Sequence, residues 1–490
     1  MKSLRSLSML FGIAFLASCS NTQETNTQED PDKAEFPNII YILADDAGVG
    51  DVSSYNPQSK IPTPNLDELA AQGIRFTDAH SPSSVCTPTR YSVLTGRYSW
   101  RSRLKKGVLF GYGTALIEDG RETVASVLKS SGYNTAGIGK WHIGLGSGKK
   151  TDYSKPLTPG PIDNGFDYYY GIPASLDMDP YVYFENDKLV QPATLKTGKH
   201  GLPRGVGGGE EFWRGGKIAK DFKHIEVLPN IVKRAEDYIV EQKNSKKPFF
   251  LYLPLPAPHQ PWLPTAEFKG KSQAGAYGDF MVQVDSVVGQ IVRATEKAGL
   301  TKNTLIIFTS DNASHWYQRD IDEHGHRANL NYRGHKGDIY EGGHRVPFIA
   351  KWPNKIPSNQ VSDELISLTD LMATAAAITN TTLPANAGED SVNILPVLTQ
   401  QNANIPPRQT TITHSVDGTF SIRLGAWKLI DAPHSGGFNK GKLSQYTDMP
   451  QVQLYNLDSD PSESNNVYDK YPAKVTEMLT LLAKIKQQSS

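Results

Sequence analysis

Three stretches of the chain are apolar without alternation: Asn38-Ile39-Ile40-Tyr41-Ile42-Leu43-Ala44, Phe249-Phe250-Leu251-Tyr252-Leu253 and Thr304-Leu305-Ile306-Ile307-Phe308. A strand with one face in water alternates, so these runs predict central strands covered on both faces. Each run leads into polar residues, namely Asp45-Asp46, His259-Gln260 and Asp311-Asn312. Helical patterns lie between them, starting at Pro64 and spanning about Glu122–Lys129, Ile225–Glu241, Tyr277–Gly299 and Leu368–Thr374. Ile74-Arg75-Phe76 and Phe348–Pro353 read as further strands. The stretch from Ile172 to Arg214 has few apolar periods and reads as an elaborated loop. After Leu383 the composition shifts to Ala, Asn, Gln, Gly and Pro, the mark of a connection. Beyond it, Phe420–Gly425 and Trp427–Ile430 predict an antiparallel pair, and Val475–Gln488 a closing helix.

The start of the chain reads differently. Lys2 and Arg5 precede the apolar run Met9–Ala17, a secretory signal too short to span a membrane. Residues 20–35 are polar with no apolar face and form a tether that cannot order itself. The expected organisation is a signal over 1–18, a tether over 19–35, a catalytic domain over 36–383 and a C-terminal subdomain over 384–490.

Lys plus Arg number 51 and Asp plus Glu 51, for a formal net charge of zero over 490 residues. Such a balance argues against nucleic acid as a partner, while leaving room for a local basic cleft. Two cysteines, Cys19 and Cys86, exclude a disulfide scaffold.

Candidate chemistry sits where the apolar runs end. Pro88 suits a first helical turn, which places Cys86 at the amino end of a helix and Arg90 one turn later. Cys86 is then either an inert packed thiol or a nucleophile. Asp45-Asp46 either hold a cation or close a solvated turn. Lys140 and His142, in an extended segment, project to one side, as an anion site or as a surface pair. His259 stands between prolines, held as a proton donor needs to be. His324, His326 and His335 lie near one another in the sequence, but zinc is rejected because no cysteine stands beside them.

Several segments together resemble the type I, formylglycine-dependent, arylsulfatase-like sulfatases of the alkaline phosphatase superfamily. They are Cys86-Thr87-Pro88-Thr89-Arg90 with Leu94-Thr95-Gly96-Arg97, Asp45-Asp46-x-Gly48-x-Gly50-Asp51, Gly139-Lys140-Trp141-His142-x-Gly144, His259-x-Pro261, Ser310-Asp311-Asn312, and Lys336 ahead of Glu341-Gly342. The resemblance implies an α/β fold, a large mixed sheet sandwiched between helices, with a small C-terminal antiparallel sheet plus helix. It implies conversion of Cys86 to Cα-formylglycine (3-oxoalanine) by a formylglycine-generating or anaerobic sulfatase-maturating enzyme. Asp45, Asp46, Asp311 and Asn312 would hold one Ca2+, and oxygen-only ligation suits calcium or magnesium better than zinc. Arg90, Lys140 and Lys336 would surround the sulfate, the hydrated aldehyde at position 86 would attack sulfur, His259 with Lys336 would protonate the leaving oxygen, and His142 would assist sulfate release. The sequence departs from the family at Ala313-Ser314, where Gly-Gly is common, and this brings His315 and Trp316 forward as sugar contacts alongside Arg101, Arg103, His326 and Arg327.

Leu16-Ala17-Ser18-Cys19 resembles a bacterial lipobox, which implies lipidation of Cys19 and an exported lipoprotein anchored in the outer membrane, on its periplasmic face or at the cell surface. The expected activity is hydrolysis of sulfate monoesters on a sulfated polysaccharide or its oligosaccharides. A phosphodiesterase or phosphonate hydrolase of the same superfamily and a non-catalytic glycan-binding lipoprotein are the alternatives.

Overall fold

The apolar runs become the middle of the protein. The elements that carry the site are β1 (Asn38–Asp45), α1 (Cys86–Thr95), β2 (Asn134–Lys140), β3 (Phe249–Pro258), α2 (Gly275–Lys297) and β4 (Thr304–Ser310). The structure is a computed structural model that describes residues 36–400 and 408–488. The signal, the tether and Cys19 lie outside the described residues.

β1 runs parallel to both β3 and β4, and β3 parallel to β2. Six further short strands extend this core into a ten-stranded sheet, in which Phe348–Lys351 runs antiparallel to β4, so the sheet is mixed. Successive side chains of β1 enter opposite layers. Ile39, Tyr41 and Leu43 join Tyr91, Val93 and Leu94 of α1, while Ile40, Ile42 and Ala44 join Val284, Val287 and Ile291 of α2. Both faces are buried, which is why the run shows no alternation. Each fully buried Ile or Leu contributes about 2 kcal/mol over its exposed state.

Register fixes where the polar ends meet. Ala44 pairs with Ser310 and Asp45 with Pro258, so Asp45-Asp46, Asp311-Asn312 and His259 share one edge at the carboxyl ends of parallel strands. Open α/β sheets bind ligands there.

Two expectations need correction. β2 ends at Lys140, and His142 has φ +55°, so Lys140 and His142 do not share an extended segment. The Ile172–Arg214 stretch also contains strands. Phe184–Glu185 and Lys188–Leu189 extend the large sheet, and Leu195–Thr197 pairs with Gly216–Ile218. These pieces are too short for a period to show.

Thr410–His414, Phe420–Leu424, Trp427–Ile430 and Gln453–Asn456 form a four-stranded antiparallel sheet. Met478 and Leu482 of the helix Pro472–Gln487 pack on it with Ile412, Ile422, Leu429 and Leu454. Tyr98 and Trp100, just beyond α1, join the same cluster, so the small sheet is fastened to the helix that carries Cys86. From Phe36 on, the chain forms one compact unit.

Candidate active site

The site begins with a concentration of buried carboxylates. Ligand atoms of Asp45, Asp46 and Asp311 lie within 4.8 Å of one another, all buried. Lys140 Nζ donates to Asp45 Oδ2 at 2.5 Å, Lys336 Nζ to Asp46 Oδ1 at 2.6 Å, and Arg90 Nε to Asp311 Oδ2 at 2.8 Å. With every group charged, three anions face three cations, a neutral set, though burial and then Asp45 push the Asp311 carboxyl up to about 7 against Arg90 and Lys140. Burial opposes ionisation of Asp45, but Lys140, His259, Arg90 and Lys336 outweigh it and hold its carboxyl well below the usual range. Burial also opposes charge on Lys336, yet Asp46 and its neighbours keep this ammonium firmly protonated.

Among the described residues two buried oxygens in this cluster have no hydrogen-bond partner: Asn312 Oδ1, and Asp45 Oδ1, which faces Arg90 Nη2 only at 3.6 Å. Leaving such atoms unpaired is costly unless something else satisfies them. Three carboxylates and one amide oxygen are hard donors, and the orphaned pair gives an oxygen-seeking divalent cation a place to bind. The residues therefore fit a calcium-type ion. Such an ion would tip the neutral set to net positive and draw in an anion.

The backbone is shaped for this cage. Asp46 sits in the left-handed region at φ +69°, a strain that functional sites retain. A Cβ on Gly48 would lie 2.1 Å from the Ala328 carbonyl oxygen, and one on Gly50 2.1 Å from that of Arg327. Only glycine lets these segments approach so closely. Asp51 accepts from Gly48 N–H at 2.7 Å, from the Tyr277 hydroxyl and from His326 Nε2 at 2.7 Å, bracing the turn from below.

Cys86 is the first residue of α1 and is buried. Its sulfur lies within 4.8 Å of ligand atoms of both Asp45 and His259. Burial pushes the thiol pKa up despite Lys140 and Lys336, so the encoded side chain is a poor thiolate. His259 Nδ1 approaches the Gln260 carbonyl at 2.5 Å and Ser175 Oγ at 3.3 Å, and its Nε2 faces Asp46 Oδ2 at 3.9 Å. Burial and then Lys336 press its pKa down, while Asp46 and Asp45 oppose them. His142 is pressed far down by burial, Lys140 and Arg90 and is neutral. Its Nε2–H donates to the Leu109 carbonyl at 2.8 Å, which leaves Nδ1 a buried lone pair without a partner among the described residues.

The fold thus gathers Cys86, Arg90, Lys140, His142, His259 and Lys336 around the four oxygen ligands. It scatters most of the expected sugar contacts. Arg101 is bound to Asp390 at 2.8 Å and stacked on Trp100. Arg103 donates to the Thr114 and Ala115 carbonyls. Trp316 is buried against Tyr277 and donates to the His326 carbonyl at 2.9 Å, His326 is fully buried beneath the cage, and Arg327 points outward. His315 does border the site: it follows Ser314, whose carbonyl accepts from Lys336 N–H at 3.1 Å, and its ring lies 5.5 Å from that of His335. Residues that sequence reasoning missed include Ser175, which accepts from Lys140 Nζ at 3.0 Å, and Asp177, which is buried, holds Arg214 and meets Gln260 Nε2 at 3.4 Å. They lie in the aperiodic stretch after Ile172, where local pattern gives no signal.

A family model described as Sulfatase matches residues 37–381, more than half of the chain. The chain belongs to the sulfatase family. A second model, for the N-sulphoglucosamine sulphohydrolase C-terminal region, matches residues 335–489. This sulfatase is 35% identical to an N-acetylgalactosamine-6-O-sulfatase of Bacteroides thetaiotaomicron, over 98% of this chain and 99% of that protein. It is 32% identical to human arylsulfatase A, over 92% and 87% of the two chains. A solved Bacteroides thetaiotaomicron structure, described under the metabolism of multiple glycosaminoglycans, superposes with a TM-score of 0.83 at 35% identity, covering 93% of this chain and all of that one. The sulfatase is accordingly a sulfuric ester hydrolase with an alkaline phosphatase-like fold.

Proposed function

We propose that this sulfatase removes a 6-O-sulfate from an N-acetylgalactosamine-type residue of a glycosaminoglycan or its oligosaccharides, using Ca2+ and a formylglycine made from Cys86. The likeness to an N-acetylgalactosamine-6-O-sulfatase along nearly the whole of both chains supports the substrate class. The observation that carries the chemistry is the oxygen cage with its two orphaned acceptors beside Cys86.

Asp45, Asp46, Asp311 and Asn312 would hold the ion, which supplies Lewis-acid charge, while the formylglycine supplies a hydrated carbonyl as nucleophile and a way to release sulfate without a second attack at sulfur. The chain's own groups do the rest. Lys140 and Lys336 present ammonium groups to the sulfate oxygens and stabilise charge that builds as the ester breaks. Arg90 is committed to Asp311 and to the Lys140 carbonyl at 3.1 Å, so it orients the cage. His259, its Nδ1 fixed by the Gln260 carbonyl, offers Nε2–H to the bridging oxygen. A bound sulfate ester raises the proton affinity of this histidine by adding negative charge beside it. His142, with Nε2–H tied to Leu109, takes a proton at Nδ1.

Export and lipid anchoring through Cys19 belong to the same reading and are supported by the lipobox-like Leu16-Ala17-Ser18-Cys19. Among the described residues no helix is long and apolar enough to cross a membrane. The deciding experiment is mass spectrometry of the Cys86 peptide from protein made in a maturation-competent host, with sulfate release measured from N-acetylgalactosamine 6-sulfate, its 4-sulfate and a phosphodiester. Sulfur replaced by oxygen at position 86 and release from the 6-sulfate alone are expected. An unmodified thiol in active protein, or preference for the phosphodiester, overturns the proposal.

A further inference from the structure

The described surface exposes few large apolar side chains, and two of them, Phe110 at 56% and Phe438 at 50%, lie against or next to residues that adjoin the catalytic groups. Phe110 follows Leu109, whose carbonyl anchors His142, but the Arg214 guanidinium covers its ring at 5.5 Å. Phe438 comes from the opposite direction, out of the C-terminal subdomain. Its ring presses on Gly337, where a Cβ would lie 2.7 Å from it, and Gly337 is the neighbour of Lys336. His315, whose neighbour Ser314 accepts from Lys336 N–H at 3.1 Å, meets the same ring at 5.4 Å. The loop beneath is tied down as well, since Gly337 N–H donates to Ser84 at 2.8 Å and its carbonyl accepts from Val416 N–H at 3.0 Å. A phenyl ring half in water, braced from behind and next to a sulfate-binding lysine, is placed to receive an apolar face.

We propose that Phe438 is the stacking platform for the sugar ring whose sulfate enters the cage, and that it selects the galacto configuration. This rests on the reading of the site as a carbohydrate sulfatase. A galacto-configured ring, with its 4-hydroxyl axial, gathers the C–H groups of carbons 3, 4 and 5 with carbon 6 into one apolar face. A gluco ring carries an equatorial 4-hydroxyl that interrupts that face. Carbon 6 also bears the ester oxygen in a 6-sulfate, so a platform adjoining Lys336 meets the ring just where the sulfate leaves it. Aromatic contact of this kind favours the ring by dispersion and by its electron-rich face.

The test separates binding from turnover. In a Cys86→Ala background, whose methyl group carries no heteroatom to convert to an aldehyde, isothermal titration with galactose 6-sulfate is compared with glucose 6-sulfate. Tighter binding of the galacto sugar is expected, with Phe438→Ala weakening it about tenfold, Phe438→Tyr restoring it, and the gluco sugar changing little. Equal galactose 6-sulfate affinity with and without Phe438, an equal loss for both sugars, or no binding at all overturns the proposal. Hydrolysis is measured separately on the Cys86 protein, where Phe438→Ala should raise KM for the galacto ester and leave kcat nearly unchanged. A chain that binds with the expected Phe438 dependence but releases no sulfate would sink the catalytic reading and leave the platform standing.

Discussion

Asp45 Oδ1 and Asn312 Oδ1 mark at the residue scale where the proposed cation would bind, and they make its effect on stability measurable. Binding only to the folded state at a concentration about a thousandfold above Kd adds roughly 4 kcal/mol. Chelation should therefore lower Tm by several degrees, Ca2+ should restore it, and Asp45→Ala should lose both activity and the response to chelator. An unchanged Tm on chelation would count against the cage. Arg90 makes a second case. It donates through Nε to Asp311 Oδ2 and through Nη1 to the Lys140 carbonyl, and its Nη2 ion-pairs with the same Asp311 oxygen. Lysine cannot reproduce that fork, so Arg90→Lys is expected to reduce kcat about a hundredfold, with near-native far-UV circular dichroism. Most of these residues were legible in the sequence because each ends an apolar run or lies in a short family motif. Ser175, Asp177 and Arg214 were not, since their position depends on a long excursion folding back over the sheet. Arg101 was misleading because its charge is already satisfied by Asp390.

At the scale of elements, unalternating strands announced a sheet covered on both sides, and β1 delivers its residues to two layers in turn. The Asp45–Asp51 turn depends on close backbone approach. Gly50→Ala would drive a methyl into the Arg327 carbonyl, and a loss of about 2–3 kcal/mol is expected, read as a shift in the urea midpoint. Gly50 would then be shown as spacious if the midpoint stayed put. The turn after Lys140 escaped the sequence because a single left-handed residue, His142, redirects the chain without a glycine at that position.

For the molecule as a whole, His414 couples the small sheet to the catalytic part. It is fully buried, meets Ser99 Oγ through Nε2 at 3.0 Å and the Ser415 carbonyl through Nδ1 at 3.1 Å. Burial lowers its pKa to about 4 against the pull of the Ser415 carbonyl and Asp417. An unfolded histidine titrates near 6.5, so the folded state binds fewer protons between these values. Its contribution is complete above about pH 6.5 and is lost as pH falls through about 4, on the order of 3 kcal/mol in all. Unfolding measured from pH 7 to pH 4 should show a shallower acid decline in His414→Gln. An identical slope in both proteins would remove His414 from the account.

Cys86 is buried at the start of α1, beneath ligands that come from Asp45 and from Asp311, positions far apart in the chain. Until β1 and β4 have paired, there is no cage and no roof over that thiol. An enzyme that oxidised this thiol would have to reach it while the chain is still open, before β1 and β4 close over it. On the proposed function, the burial of one side chain would set an order in biosynthesis, modification first and closure second.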